Sequence, residues 1–413
     1  MKKLLVLVFA MALCLGVLCV GASADGITPL QPQKGDGTAQ NPYQIGSAAE
    51  LYWFAKTVYE GDYDAHAVLT DDITINENGT LNGTPTYTWT PIGDYINAYT
   101  GTFDGQNHTI SGLYYNGSGD YAGLFGRVDS GGRVKNVKVA DSYISNSHSS
   151  GCTGGVCGWN IGTITNCSFD GTVTGSVTRT FVGGVCGYNS GMITNCSNTG
   201  SVTGTGTGYT GGLCGGNDGT ITNCYNTGTI TDTGNVGAVC GKNSGTITNC
   251  YWHEDTVLTG YGINTGKVTS VEDKTTGEFA SGEVAWLLNQ GQENGPWRQN
   301  IVTDTSPVLN SKHGSVIKVT VLDETSTDYY GNGNHVTLPD PSPNEAYFNS
   351  SGEYIDPASY SFTDGETVYL KTAVKITVVY GNDTEDEIKY VASGGTFELP
   401  DAPTRSGYSF VGW

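Results

Sequence analysis

Eight cysteines stand in four identically spaced pairs: Cys157 with Cys167, Cys186 with Cys196, Cys214 with Cys224, and Cys240 with Cys250. Sulfur in a Cys-x9-Cys pattern could do one of three things. Metal ligation wants close C-x2-C pairs or nearby histidine, and these pairs have neither. A disulfide within each pair is compatible with an exported chain. Stacked reduced thiols acting as small apolar core residues are the third reading. The chain has eleven cysteines. If Cys14 and Cys19 leave with a signal segment the count is odd, so at least one thiol, with Cys152 left over from the pairs, is free or bonded between chains.

Catalytic chemistry has sparser material. Between 154 and 252 the acids are Asp170, Asp218 and Asp232, the bases are Arg179 and Lys242, and histidine does not occur. A polysaccharide lyase or hydrolase needs a denser cluster of carboxylates, bases or bound calcium. His253-Glu254-Asp255 is the densest titratable group nearby, but three adjacent side chains point different ways and read as a solvated loop. His148 near Cys152 could mimic a Cys/His pair, yet no third partner is identifiable. Thr163-Ile164-Thr165, Thr220-Ile221-Thr222 and Thr246-Ile247-Thr248 would stack as an ice-binding face, with Met192-Ile193-Thr194 interrupting it; Thr is also simply a good strand former. No catalytic residue, metal site or cofactor is expected.

A binding face is the better case. Trp159, Tyr188, Gly216 and Lys242 occupy one repeat position, with Arg127 at a divergent copy, and Tyr225 and Tyr251 share another. A column mixing aromatic and long polar residues suits an exposed contact strip for a glycan or a protein. Ordinary surface filling is the plainer alternative.

These positions belong to a phrase written four times: GGVCGWNIGTITNC at 154–167, GGVCGYNSGMITNC at 183–196, GGLCGGNDGTITNC at 211–224 and GAVCGKNSGTITNC at 237–250. A period of this length means a stacked repeat whose units cannot bury their apolar faces alone. About three short strands per unit predict coils of a right-handed parallel β-helix. Val156, Val185, Leu213 and Val239 then form one apolar column, and Ile164, Ile193, Ile221 and Ile247 a second. Asn166, Asn195, Asn223 and Asn249 form a third, and Asn160, Asn189, Asn217 and Asn243 a fourth, in which amides can bond from coil to coil. The stretch 122–137 aligns as a divergent copy in which Phe125 and Val137 replace the two cysteines. That argues for a core location of the sulfur and leaves its redox state open.

The open ends of such a stack need covers. Ser47 and Glu50 predict a capping box at the start of a helix over about 47–60, with Leu51, Phe54, Ala55 and Val58 as its apolar stripe. A second helical segment is expected at 277–291. Residues 1–24 read as a signal peptide: Lys2 and Lys3, an apolar run, then Ala22-Ser23-Ala24. No later run could span a membrane. The formal net charge of −21 argues against nucleic acid, which needs a basic face. The division is 1–24 signal, 25–310 solenoid with helical caps, 311–374 a small β module, and 375–413 a second.

The repeated units, with NTGSVTG at 198–204 and NTGTITD at 226–232, resemble the GLUG motif of bacterial secreted and surface proteins. The tail GGTFELPDAPTRSGYSFVGW at 394–413 resembles the Listeria–Bacteroides repeat of internalin-like surface proteins, a small β-grasp-like unit that ends here mid-repeat. The family more often has Val or another apolar residue where Cys157, Cys186, Cys214 and Cys240 stand. Together the resemblances imply an extracellular or cell-envelope location and an adhesin-like, non-enzymatic role. The alternatives are an accessory domain of a carbohydrate-active or peptidase polypeptide, or a β-helix polysaccharide lyase.

Overall fold

The computed structural model describes residues 26–77, 85–175, 180–255, 259–323, 325–378, 387–393 and 396. The expected signal segment, Arg179 and nearly all of the tail repeat lie outside the described residues.

The chain winds into a parallel β-solenoid with three faces. The long face is a 15-stranded sheet, the second a six-stranded sheet and the third a five-stranded sheet. Residues one coil apart pair in register: Cys157 with Cys186, Cys186 with Cys214, and Cys214 with Cys240 on the second face. On the long face Ile164 pairs with Ile193, Ile193 with Ile221, and Ile221 with Ile247. The divergent copy falls where its alignment placed it, with Phe125 beside Cys157, and Phe125 and Val137 both buried.

Each inward column has a physical reason. The valine/leucine and isoleucine columns are fully buried, as are all eight paired cysteines. Asn136, Asn166, Asn195, Asn223 and Asn249 all adopt φ between 52° and 55°. This left-handed corner penalises most L-residues and is tolerated by asparagine. Their side chains bond between coils, Asn166 Nδ2 donating to Asn136 Oδ1 and Asn195 Nδ2 to Asn166 Oδ1, each at 3.0 Å. The second ladder is buried and runs the other way, from Asn160 through Asn189, Asn217 and Asn243 to Asn264, at 2.7–2.8 Å per step. A third, Asn198 to Asn226 at 2.7 Å, was not among the sequence columns. Each step satisfies a buried amide that would otherwise cost about 1–3 kcal/mol.

The first helix, Ala48–Tyr59, buries Leu51, Phe54, Ala55 and Val58 over the first coils, where Phe54 meets Tyr99 and Phe103. The Ser47 hydroxyl accepts from Glu50 N–H, and the Glu50 carboxylate reaches back to Gly46 N–H (2.9 Å) rather than to Ser47 N–H. After the last coil come two short helices, Thr276–Ser281 and Glu283–Leu288, with Gly282 between them at φ 93°. Thr275 and Glu278 form a full capping box there. These helices pack side-on against Tyr225 and Tyr251 in a cluster with Phe279, Val284, Leu288 and Trp297. The last coil strand, Lys267–Lys274, stays largely exposed and carries Lys267, Glu272, Asp273 and Lys274, charges that discourage further strand pairing.

Beyond residue 315 a separate six-stranded mixed sheet forms. Val316–Leu322 pairs antiparallel with Ser326–Asn332 and parallel with Glu366–Val378, around a core of Val319, Tyr347, Phe362 and Val368. The strand Glu366–Val378 runs through the boundary expected at 374/375, so one sheet spans both sides of it. The Trp286 indole donates to Asp364 (3.1 Å) and lies under the Lys318 ammonium, joining this sheet to the helical segment.

Candidate functional site: an aromatic strip on the solenoid

On the second face each coil presents a Cys-Gly-x-Asn strand. Cysteine and asparagine are buried and the x residue faces outward. Plain alternation would put x on the cysteine's side, so the strand is irregular at the glycine between them, where the pairing register skips a residue. The outward column is Arg127, Trp159, Tyr188, Gly216 and Lys242. Beside it, at the edge of the third face, run Tyr121, Cys152, Phe181, Tyr209 and Asn235 in register. The two columns merge into one strip. Arg127 lies over Trp159 (5.0 Å) and over exposed Tyr95 (5.6 Å). Trp159 meets Tyr121 (5.5 Å) and Tyr188 (5.9 Å). Tyr188 meets Phe181 (4.7 Å), which stacks on Tyr209 (5.2 Å, 18° between planes). Lys242 closes the strip over Tyr209 at 5.5 Å.

Gly216 makes this merger possible. A Cβ there would overlap the rings of Phe181 and Tyr188, so its missing side chain lets Phe181 lean between columns. The strip spans four coil spacings, roughly 19 Å. Trp159, Tyr188, Phe181 and Tyr209 are all half-buried, each keeping part of its ring open to solvent. The Tyr188 hydroxyl donates to Asp218 one coil on. Burial, and then that carboxylate, push its pKa above the ordinary phenol value, so it stays a neutral donor. The structure thus brings Trp159 and Tyr188 together and adds Tyr121, Phe181 and Tyr209. The shared offset in Tyr121-Ala122-Gly123, Phe181-Val182-Gly183 and Tyr209-Thr210-Gly211 was the available signal.

Tyr225 and Tyr251 are a correction. They are only 2% and 3% exposed and cannot contribute to a binding face. The Tyr225 hydroxyl donates to the Pro307 carbonyl (2.6 Å) and its ring packs on Phe279 and Trp297. The Tyr251 hydroxyl donates to Asn249 Oδ1 (2.6 Å). Both lie on the long face, where the helices and the segment after them return and cover the last coils.

The cysteines form two vertical columns, not pairs within a coil. All nine described cysteines are free and buried. Cys186, Cys214 and Cys240 donate to the carbonyls of Tyr188, Gly216 and Lys242 at 2.9–3.2 Å. Cys167, Cys196, Cys224 and Cys250 do the same to Thr165, Thr194, Thr222 and Thr248 at 3.1–3.3 Å. Burial pushes the thiols of Cys157, Cys167, Cys196, Cys214 and Cys224 well above the ordinary value, which holds these five neutral. At Cys186 burial is outweighed by hydrogen bonds from Cys157 and Cys214, which lower the thiol to about 5. Neutral, dry sulfur in this setting acts as a small apolar side chain.

The other sequence candidates disperse. His253 contacts the Thr276 hydroxyl (2.6 Å) and the Phe279 ring, while the Asp255 side chain is 84% exposed. His148 Nε2 lies 3.4 Å from Asp120, and Cys152 is buried. The threonine face is broken by Arg133 and by exposed Met192. Among the described residues no group of three or more His, Cys, Asp or Glu could hold a metal, and no helix is long and apolar enough to cross a membrane.

Fold and strip together define a repeat-built β-solenoid with an elongated outward aromatic surface. Residues 144–174, 182–203 and 206–231 match the family model of the GLUG motif. A protein of Evansella cellulosilytica, provisionally named a Gly-rich membrane protein, is 34% identical over 137 residues, 33% of this chain and 15% of that protein. Halomucin of Haloquadratum walsbyi is 33% identical over 155 residues, 37% of this chain and 2% of halomucin. The chain therefore spans only a small part of the length of these curated relatives. A crystal structure from Bacteroides ovatus, provisionally assigned as an immunoglobulin A1 protease, covers 68% of this chain and 95% of its own. It has a TM-score of 0.54 and 21% identity, a likeness of fold.

Proposed function

We propose that this chain is an adhesin-like, non-enzymatic surface protein that binds a glycan or a protein at the cell envelope. The strip from Arg127 to Lys242, centred on Trp159 and Tyr188, is its contact surface. The observation that carries this reading is the continuity of the rings. Five aromatic side chains touch in sequence across neighbouring coils, and each keeps a part of its ring in solvent. Half-buried aromatics cost little further side-chain entropy when a ligand lands on them, and they offer apolar faces beside polar edges. A sugar ring or a peptide side chain fits that chemistry. The sparse titratable groups on the coils and the surface-type names of the similar proteins support a binding role over catalysis. Export through residues 1–24 belongs to the same reading.

The experiment is a glycan array together with crosslinking on the producing cell's envelope, using the full chain and its Trp159→Ala/Tyr188→Ala variant. Binding that the variant loses supports the reading. A blank array with no crosslinked partner leaves a purely structural spacer, and equal binding by the variant moves the contact surface away from the strip.

A further inference from the structure

A second surface feature lies on the long face, away from the aromatic strip. After the two short helices the chain folds back along the solenoid. The Gln290 side-chain amide donates to Asn223 Oδ1 (3.1 Å), the Trp297 indole to the Asn223 carbonyl (3.2 Å), and the Tyr225 hydroxyl to the Pro307 carbonyl. These anchors hold residues 306–313 as an arch over the sheet. Between arch and sheet is a groove of about 790 Å³. That volume falls within the range of pockets that hold small ligands, ~300–1,000 Å³.

The lining is polar and regular. Its floor carries the corner amides Asn136 and Asn166, one coil apart, and the hydroxyls of half-buried Ser168 and exposed Thr199. Its cations come from both sides, Lys138 from the coils and Lys312 from the arch, each beside an imidazole, His108 and His313. This is unusual in a chain with 40 acids and 19 Lys and Arg. Asp72 is the carboxylate of the lining, and it is already engaged by the Thr109 N–H (2.8 Å) and His108 Nδ1 (3.1 Å). Asp304, behind the arch, holds His313 Nδ1 at 2.6 Å. Asp170 stands outside the lining, 3.8 Å from Lys138.

Repeated amides and hydroxyls at coil spacing match the hydroxyls of an extended sugar chain. Cations on opposite walls match anionic substituents on that chain. We propose that the groove between the long face and residues 306–313 binds an acidic oligosaccharide. Its carboxylate or sulfate groups lie on Lys138 and Lys312, and its hydroxyls on the corner asparagines, Ser168 and Thr199. The site is separate from the aromatic strip, and the chain would then contact two ligand segments on different faces.

The test is titration calorimetry on the full chain with four probes: oligogalacturonate, a heparin-derived hexasaccharide, neutral maltohexaose and polyglutamate. The proposal expects at least one acidic sugar to bind, more weakly as salt rises, and maltohexaose and polyglutamate to bind at least about tenfold more weakly. Oligogalacturonate alone would assign carboxylate recognition, and the heparin fragment alone sulfate recognition. Lys138→Gln/Lys312→Gln should lose about tenfold in affinity or more. Both lysines are surface groups, and single Lys312→Gln on the arch gives a milder second variant expected to lose part of that affinity. Trp159→Ala/Tyr188→Ala should bind the acidic probe as the parent does, which separates this site from the strip. Failure of both acidic sugars, equal binding of polyglutamate or maltohexaose, or undiminished binding by the lysine variants would overturn the proposal.

Discussion

The inside of the four coils and the strip on their outer surface are built from the same strands and obey opposite rules. Along the inside, one residue type recurs coil after coil: cysteine at 157, 186, 214 and 240, isoleucine at 164, 193, 221 and 247, asparagine at 160, 189, 217 and 243. Along the outside, two residues from each cysteine, the series is Trp159, Tyr188, Gly216 and Lys242. The inward positions repeat because each coil meets the same steric demand: a fixed volume, a left-handed corner, an amide to be paired with its neighbour. The outward positions meet no such demand, so their variation is free to serve a ligand. The first described coils sharpen the point. There the interior is filled by Tyr99, Phe103 and Phe125, with the Phe125 ring 5.2 Å from Tyr99 and 5.4 Å from Phe103, and the sulfur column begins only at Cys157. The demand is for buried volume, and thiols are one way of meeting it.

Substitutions separate the two regions by size of effect. The largest should come from Gly183→Ala, where a Cβ would overlap the Cys186 carbonyl and the Cys214 Cα of the next coil. Backbone cannot move aside as a side chain can, so the chain should fail to form its central coils, seen as loss of the cooperative melt by circular dichroism. Ile193→Ala, fully buried, should cost about 2–5 kcal/mol in denaturant unfolding. Asn217→Ala breaks the buried ladder on both sides, leaving Asn189 Nδ2 and Asn243 Oδ1 without their partner. It should cost about 2–3 kcal/mol, with Asn217→Gln failing to restore the geometry. A loss under about 0.5 kcal/mol in either case would mean that repetition inside the coils has another cause.

The sulfur columns predict nine reactive thiols in protein prepared without residues 1–24, denatured without reductant, and almost none before denaturation. Four bridges would leave one. The smallest effect belongs to the end of the solenoid, where Lys274 bonds Glu278 (3.0 Å) and Glu283 (2.8 Å). Burial alone would raise the Glu278 carboxyl, but Thr275 and Lys274 outweigh it and hold it below the ordinary value. Those same carboxylates raise Lys274 despite its burial. A lowered acid stabilises above its ordinary pKa and a raised base below its own. The lock is therefore complete between about pH 4.5 and 10.5 and weakens as acid protonates Glu278. Lys274→Met should reduce that acid sensitivity in amide exchange of residues 276–288 and leave the part that the Thr275 hydrogen bonds supply.

The columns were legible in the sequence because a solenoid turns spacing directly into neighbourhood. Phe125 beside Cys157 and the two asparagine ladders followed from alignment alone. What alignment could not supply is what covers the coils from outside the repeat. Tyr225 and Tyr251 share a register, as expected, yet residues 276–309 return over them and remove them from the surface. The groove was invisible for the same reason, its walls being well over a hundred residues apart. Tyr121, Phe181 and Tyr209 escaped because they sit in the spacer between phrases, where their common offset before each glycine is the only mark. The Asn198–Asn226 ladder lies in the NTG segments, whose spacing gives the neighbourhood but not the buried amide bond.

The most direct test of the contrast between inside and outside is to measure melting temperature and ligand binding together for Trp159→Ala/Tyr188→Ala/Tyr209→Ala. The account predicts a cooperative melt lowered by about 10 °C or less, since three half-buried outward rings contribute about 1 kcal/mol each, at about 2–4 °C per kcal/mol. It also predicts loss of neutral-glycan or protein capture by at least about tenfold. A chain that melts far earlier, or one that keeps full binding, would contradict it.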